Sequence, residues 1–446
     1  MKILFISLGC DKNLVDTETM LGYLSQKGYE ITDDETQAEA VVVNTCCFIH
    51  DAKQESVDEI LAMADLKKEG RIKALIVTGC LAQRYQEEIQ EEIPEVDVIM
   101  GTQAIADIVE ALESVLAGTP ANILPDTNKP LPKLNKRLVT TGGHYAYLKI
   151  AEGCDKHCTY CVIPKVRGTY RSVPMDELIE QAKQLVDEVG VKELILVAQE
   201  TTIYGTDLYG EKKLPELLSE LSAIRGLRWI RILYCYPEEI DDALIDAIAN
   251  NDKVCHYLDI PVQHASDRIL KRMGRRTSRA ELEDIISKLR ARIPDICLRT
   301  TLISGFPGET EEDHEEVMDF VDSMEFDRLG VFTYSKEEDT PAALMEDQIE
   351  EECKEERRGE IMELQQAIAF EKAEAMLGKT VLAMIEGRIA GEDAYIARTY
   401  MDAPGVDGYL FINTTKELMS GDFAYVRITG SNEYDLIGEL EDEFSE

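Results

Sequence analysis

The chain has 446 residues, with 47 Lys and Arg against 87 Asp and Glu, for a formal net charge of −40. That length is enough for two to four domains with real cores. The charge argues against a general nucleic-acid binder, because phosphate contacts need basic surface, and it favours basic partners.

Eleven Cys are too few for a disulfide scaffold, and the number is odd. The apolar run Ile3–Leu8 is shorter than the core of a signal peptide, and no later run approaches the length of a membrane span. A soluble, cytoplasmic protein with no membrane partner is expected.

Residues 1–117 alternate strand and helix signals. Apolar runs at Ile3–Leu8, Ala40–Val43, Ala74–Val77 and Val96–Met100 alternate with helical periodicity over Val15–Lys27, Asp51–Lys68 and Ile105–Leu116. This predicts a doubly wound parallel sheet. Each of the first three runs is followed at once by cysteine: Gly9-Cys10, Asn44-Thr45-Cys46 and Gly79-Cys80. The carboxyl ends of parallel strands share one edge, where ligands bind. Three thiols distant in sequence are therefore expected on one rim. Cys is common in buried strands, but one at the end of each of three successive strands is not what core packing demands. A sulfur-only set selects an iron–sulfur cluster or zinc.

Residues 118–137 contain Pro120, Pro125, Pro130 and Pro132 and read as a linker. From Tyr145 a second alternation begins. Strands are predicted at Tyr145–Ile150, Glu193–Ala198, Arg228–Leu233, Tyr257–Ile260, Cys297–Ile303 and Arg328–Thr333. Helices are predicted near 174–189, 213–225, 238–250, 266–292 and 311–324. Six such repeats suggest an incomplete (β/α)6 parallel barrel, whose active site belongs at the C-terminal ends of its strands.

The first strand leads into Glu152-Gly153-Cys154-Asp155-Lys156-His157-Cys158-Thr159-Tyr160-Cys161. Three thiolates on one tight loop can ligate three irons of a [4Fe–4S] cube and leave the fourth open, whereas ferredoxin-type carriers fill all four. An open iron can bind a small molecule through its amine and carboxylate, and Tyr160 could offer that molecule an aromatic edge or face. The competing reading is zinc with His157 as fourth ligand. Structural zinc sites usually arrive as two short pairs with a longer spacer, and adjacent His157 and Cys158 would strain a tetrahedron. A non-catalytic electron carrier or scaffold is a further alternative, against which the open iron argues.

Other strand ends carry Gln199-Glu200, Pro261-Val262-Gln263-His264 and Gly305-Phe306-Pro307-Gly308-Glu309. Each is weak alone. A Gly-x-x-Gly turn is often just a turn, no phosphate-binding Lys-Ser/Thr follows, and a lone His264 is as readily structural. Their shared position on the face of the cysteine loop raises them. Residues 335–370 read as a solvated, Glu-rich helix. Gly378–Glu439 has short strand signals split by Gly and Asn, as in a small antiparallel β-barrel, and the acidic tail Glu439–Glu446 reads as frayed.

The cysteine loop resembles the signature of the radical S-adenosylmethionine enzymes, and the order of the whole chain resembles the methylthiotransferases. Within them, Ser7-Leu8-Gly9-Cys10-Asp11-Lys12-Asn13 and Glu152-Gly153-Cys154-Asp155-Lys156-His157-Cys158 are similar to the RimO-type branch. The tRNA-modifying MiaB-type branch, kept as the alternative, usually has Gln-Met in place of Asp11-Lys12 and Asn in place of Asp155.

The resemblance implies a methylthiotransferase N-terminal domain (1–117), the linker (118–137), a radical core (138–370) and a TRAM domain (371–441). It implies two [4Fe–4S] clusters, one on Cys10, Cys46 and Cys80, the other on Cys154, Cys158 and Cys161. S-adenosylmethionine would meet Tyr160, Gln199, Glu200, Gln263 and Gly305. One S-adenosylmethionine would methylate sulfur, and a second, cleaved by an electron from the Cys154/Cys158/Cys161 cluster that a flavodoxin- or ferredoxin-type partner reduces, would activate Cβ of an aspartate in ribosomal protein S-twelve. The family usually has a small residue where this chain has Cys47. From Glu371 to Glu446 there are six Lys or Arg and sixteen Asp or Glu, 6 − 16 = −10, so the C-terminal unit is expected to repel tRNA and attract a basic protein.

Overall fold

The computed structural model describes residues 1–133 and 137–441. The expected frayed tail lies outside the described residues beyond position 441, as do three positions of the expected linker.

The first unit is a five-stranded, all-parallel sheet of β1 (Lys2–Ser7), β2 (Glu30–Thr32), β3 (Ala40–Thr45), β4 (Ala74–Gly79) and β5 (Val98–Ile99), ordered β2-β1-β3-β4-β5. Side chains alternate across the pleat. Val41 and Val43 join one buried cluster with Ile60 and Leu66, while Val42 joins Met20, Leu24 and Ile108 on the other face. Helices therefore cover both faces, as in a doubly wound fold. The order reverses between β1 and β3, the switch point at which such sheets bind ligands. β2 went unread because its three residues lie at the sheet's edge. Val96–Met100 shortens to two strand residues.

The second unit pairs β6 (Tyr145–Lys149) with β9 (Glu193–Val197), β10 (Trp229–Ile232), β11 (Val254–Asp259), β12 (Cys297–Ser304) and β13 (Arg328–Thr333) in the order β13-β12-β11-β10-β9-β6, all parallel and unclosed. β7 (Ala151–Glu152) and β8 (Arg171–Ser172) form a small antiparallel ladder beside it. The helix expected across 266–292 is two, Asp267–Arg272 and Arg279–Arg292. Gly274 turns the chain with a φ of +73° between them, and Ser278 starts the second helix with a capping box. The solvated helix expected over 335–370 is instead Glu351–Glu374, which buries Lys354, Arg357, Ile361, Gln365 and Ile368 against the barrel. Its Glu-rich sequence describes only the outward face.

The third unit is a closed barrel of β14 (Thr380–Arg388), β15 (Ala394–Thr399), β16 (Leu410–Asn413), β17 (Phe423–Asn432) and β18 (Asp435–Leu440). It is antiparallel except for the parallel pair β16–β18, which closes it.

Neighbouring units fill the open interior of the half-barrel. Its inward side chains Tyr147, Ile195, Val197, Trp229, Tyr257 and Cys297 pack with Leu14 and Val15 of the helix Asp11–Gln26 and with Met384, Ala403 and Phe423 of the small barrel. Ion pairs fasten this plug. The carboxylate of Glu193 accepts from Arg231 at 2.8 Å and Arg398 at 2.7 Å, Arg328 binds Asp402 at 2.6 Å, and Arg299 lies 3.5 Å from Asp407. Among the described residues no helix is long and apolar enough to cross a membrane.

Candidate functional site

Cys46 and Cys80 directly follow β3 and β4, and Cys10 lies three residues past β1, at the same end of three adjacent strands. Their loops are tied by amides. Asn13 donates to Leu8 O at 3.0 Å and Thr45 O at 2.9 Å, and Asn44 donates to Asn13 O at 2.9 Å. Gly79, with a φ of +92°, has no room for a Cβ against Asn44 and Thr45. Burial pushes the Cys46 thiol up to about 12, with Cys80 and Cys10 adding like-charge repulsion. Burial likewise raises the Cys80 thiol, Arg167 opposing it and Cys10 adding to it. The three sulfurs are thus within electrostatic reach of one another. Cys47 is fully buried and packs with Leu4, Ile60 and Leu81.

The second set lies on the loop after β7. Gly153 adopts a φ of +81°, and a Cβ there would collide with the backbone of Thr169. Cys154 N donates to Gly168 O at 3.2 Å and Cys161 N to Cys158 O at 3.0 Å. Cys154 is held up to about 11 by burial, with Cys158 adding to it, and Cys161 is raised by burial and by Cys158 and Cys154. His157 has an exposed side chain and a φ of +54°, while Cys154 and Cys158 are buried. It does not join the thiols, so the donor set is sulfur alone. Each set offers sulfur donors alone, the ligand type an iron–sulfur core takes once the thiols are deprotonated.

Tyr160 packs edge-to-face on Phe306 at 6.4 Å, with its hydroxyl against Cys158. Gln199 props the loop: its Oε1 accepts from Gly153 N and its Nε2 donates to Glu152, both at 3.0 Å. Glu200 is buried. One oxygen takes Thr202 N at 3.0 Å, the other lies 3.6 Å from Lys156 with no hydrogen-bond partner, and burial lifts the carboxyl to about 7. Gln263 uses its backbone, with a φ of +74°, to bridge β12. Gly305 makes room for Lys354 of the helix Glu351–Glu374. His264 accepts from Ser266 N at 2.9 Å and lies 3.5 Å from Glu309, a structural arrangement.

Sequence reasoning missed two groups. Tyr236 places its hydroxyl 3.6 Å from the Cys158 sulfur, and Arg275 stacks on the Tyr236 ring at 4.4 Å with Nε and Nη1 unpartnered though buried. Orphaned buried atoms on Glu200 and Arg275 beside the thiols make a cradle for a ligand carrying both charges, as S-adenosylmethionine does. The second group joins the two thiol sets. Arg167 donates to Cys80 Sγ at 3.3 Å, to Asp16 at 2.7 Å, to Glu152 at 3.2 Å and to Asn13. Lys149 binds Asp16 and, at 2.8 Å, Glu152. Burial would raise the Glu152 carboxyl, but Lys149 and Arg167 overcome it and hold it well below the usual range. These residues come from distant stretches.

Comparisons with known proteins agree with this layout. Residues 2–101 match the uncharacterized protein family UPF0004, residues 148–321 the radical SAM superfamily and residues 377–440 the TRAM domain. The protein named ribosomal protein uS12 methylthiotransferase RimO in Lachnoclostridium phytofermentans is 62% identical over 441 residues, covering 99% of this chain and 100% of that one. The protein of the same name in Clostridioides difficile is 48% identical over 444 residues, covering 99% of each. In fold, the radical S-adenosylmethionine methyltransferase TsrM of Kitasatospora setae, solved with cobalamin and a [4Fe–4S] cluster, superposes with a TM-score of 0.56 at 15% identity over 77% of each chain. With three matched units in one order and near-complete coverage at high identity, the chain belongs to the RimO-type methylthiotransferases of the radical S-adenosylmethionine superfamily.

Proposed function

We propose that the chain adds a methylthio group to Cβ of an aspartate in ribosomal protein uS12, using S-adenosylmethionine and two [4Fe–4S] clusters. The observation that carries this reading is the pair of thiol sets, two Cys of each buried and the third half-buried, one at each sheet's C-terminal rim, joined by Arg167 and Glu152. Cys10, Cys46 and Cys80 would hold one cluster, and Cys154, Cys158 and Cys161 the other. When bound, these groups supply the one-electron and sulfur-transfer chemistry.

The chain's own residues bind, orient and exclude water. Asn13, Asn44 and Gln199 fix the loops, and the small barrel and the helix Asp11–Gln26 seal the interior. Glu200 holds a proton near neutrality and releases it as a cationic ligand group arrives. Tyr160 and Arg275 would border the S-adenosylmethionine, while Gln199, Gln263 and Gly305 shape its surroundings through the loops they support. We place the unit boundaries at 1–117, 118–137, 138–370 and 371–441, the electron donor among flavodoxin- or ferredoxin-type proteins, and the enzyme in the cytoplasm.

Acidity of the C-terminal unit supports a basic protein substrate over tRNA, though less than the raw count suggests. Glu386, Asp402 and Asp407 turn inward to His144, Arg328 and Arg299. The test offers purified uS12 and tRNA separately to the reconstituted enzyme with S-adenosylmethionine and reductant, read by mass spectrometry. The expected product is the methylthiolated aspartate. Methylthio transfer to a tRNA adenosine with the aspartate untouched would overturn this reading in favour of the MiaB-type alternative. Iron analysis tests the sites: about eight irons per chain are expected, falling by half when either thiol triad is replaced by Ala.

A further inference from the structure

Arg167 is 2% exposed, and its guanidinium is the positive group that touches a sulfur of the first thiol set. Its other two nitrogens are also engaged. Nη1 is shared between Asp16 and Glu152, and Nη2 goes to Asn13. Because the guanidinium is a rigid planar fork, these bonds fix Nε toward Cys80 Sγ. The surrounding ionic set balances, with Arg167 and Lys149 against Asp16 and Glu152. Lys149, however, spends its ammonium on the carboxylates.

We propose that Arg167 is a positioning residue that sets the reduction potential of the cluster held by Cys10, Cys46 and Cys80. This rests on the two-cluster reading above. Reduction adds a negative charge to a cluster and makes its sulfurs better acceptors. A buried cation that also donates N–H to one of those sulfurs stabilises the reduced state more than the oxidised one. The potential is therefore higher with Arg167 than without it. The same residue binds Glu152, one position before Gly153, so the first cluster's environment and the second cluster's loop are set by one side chain.

The test uses the full chain carrying Cys154→Ala, Cys158→Ala and Cys161→Ala, so that any remaining cluster is the first. Anaerobic reconstitution, iron analysis and an EPR-monitored potentiometric titration give its midpoint potential. Arg167→Met is expected to move the midpoint to more negative values, and Arg167→Lys, which keeps the charge but not the fork, to move it less. Asp16→Asn with Arg167→Met keeps the buried charges balanced and is expected to show the negative shift in a chain folded by circular dichroism. A midpoint unchanged in Arg167→Met and in the balanced variant would overturn the proposal. So would loss of iron in every Arg167 variant while the parent keeps it, since Arg167 would then merely clamp the loops. If the parent itself takes up no iron, the two-cluster reading fails first, and visibly so.

Discussion

Gly153 and Cys47 show how single positions divide between function and packing. Gly153→Ala forces a side chain into a left-handed backbone and against Thr169, a strain of order 1–3 kcal/mol. The expected outcome is loss of iron from Cys154, Cys158 and Cys161 with the other site still loaded, read by iron analysis. Cys47→Ala should cost about 1 kcal/mol for a small cavity and leave both iron contents unchanged. Loss of iron would make Cys47 a ligand. The six candidate ligands could be read from the sequence because Cys10, Cys46 and Cys80 each come just after a strand and Cys154, Cys158 and Cys161 are closely spaced on one loop. Arg167, Asp16 and Glu152 could not, because their meaning arises only when a helix of the first unit meets a loop of the second. Gly305, an S-adenosylmethionine contact on the resemblance, makes a related point: a glycine in a turn does not announce what fills the space it leaves, which here is taken by Lys354.

Among the elements, strands were read closely wherever both faces are buried, and helices less well where charge masks an apolar stripe. The helix Glu351–Glu374 is the clearest case. The helix Glu311–Met324 carries its own marker at the start. Thr310 and Asp313 form a capping box, and Asp313 also accepts from Ser266 at 2.6 Å and from Arg268. Burial alone would raise the Asp313 carboxyl, but the bonds from Arg268, Ser266 and Thr310 bring it well below the usual range. A carboxyl lowered on folding adds stability that is complete above its unfolded value near 3.8 and is lost as the pH falls through its folded value. Asp313→Asn should therefore destabilise the chain by about 1–2 kcal/mol at neutral pH, with the difference from the parent closing below pH 3.8. Chemical denaturation at several pH values measures it, and a pH-independent difference would refute it.

In the whole molecule, the least legible feature was the plug. Three units in a row suggest beads on a string, yet the half-barrel's interior is completed by its neighbours. Glu193 stands between Arg231 and Arg398, all fully buried. Glu193→Gln leaves Arg231 without its carboxylate, while Arg398 keeps Glu386 at 2.7 Å, and should cost about 3–5 kcal/mol, read by thermal unfolding. With its interior filled from both flanks, the half-barrel leaves its strand ends as the approach for a substrate. On the proposed function, the target aspartate comes to the thiol rims there on a segment that its own protein can release. The same chain should modify a free, loosely held loop faster than that loop locked within an assembled ribosomal particle.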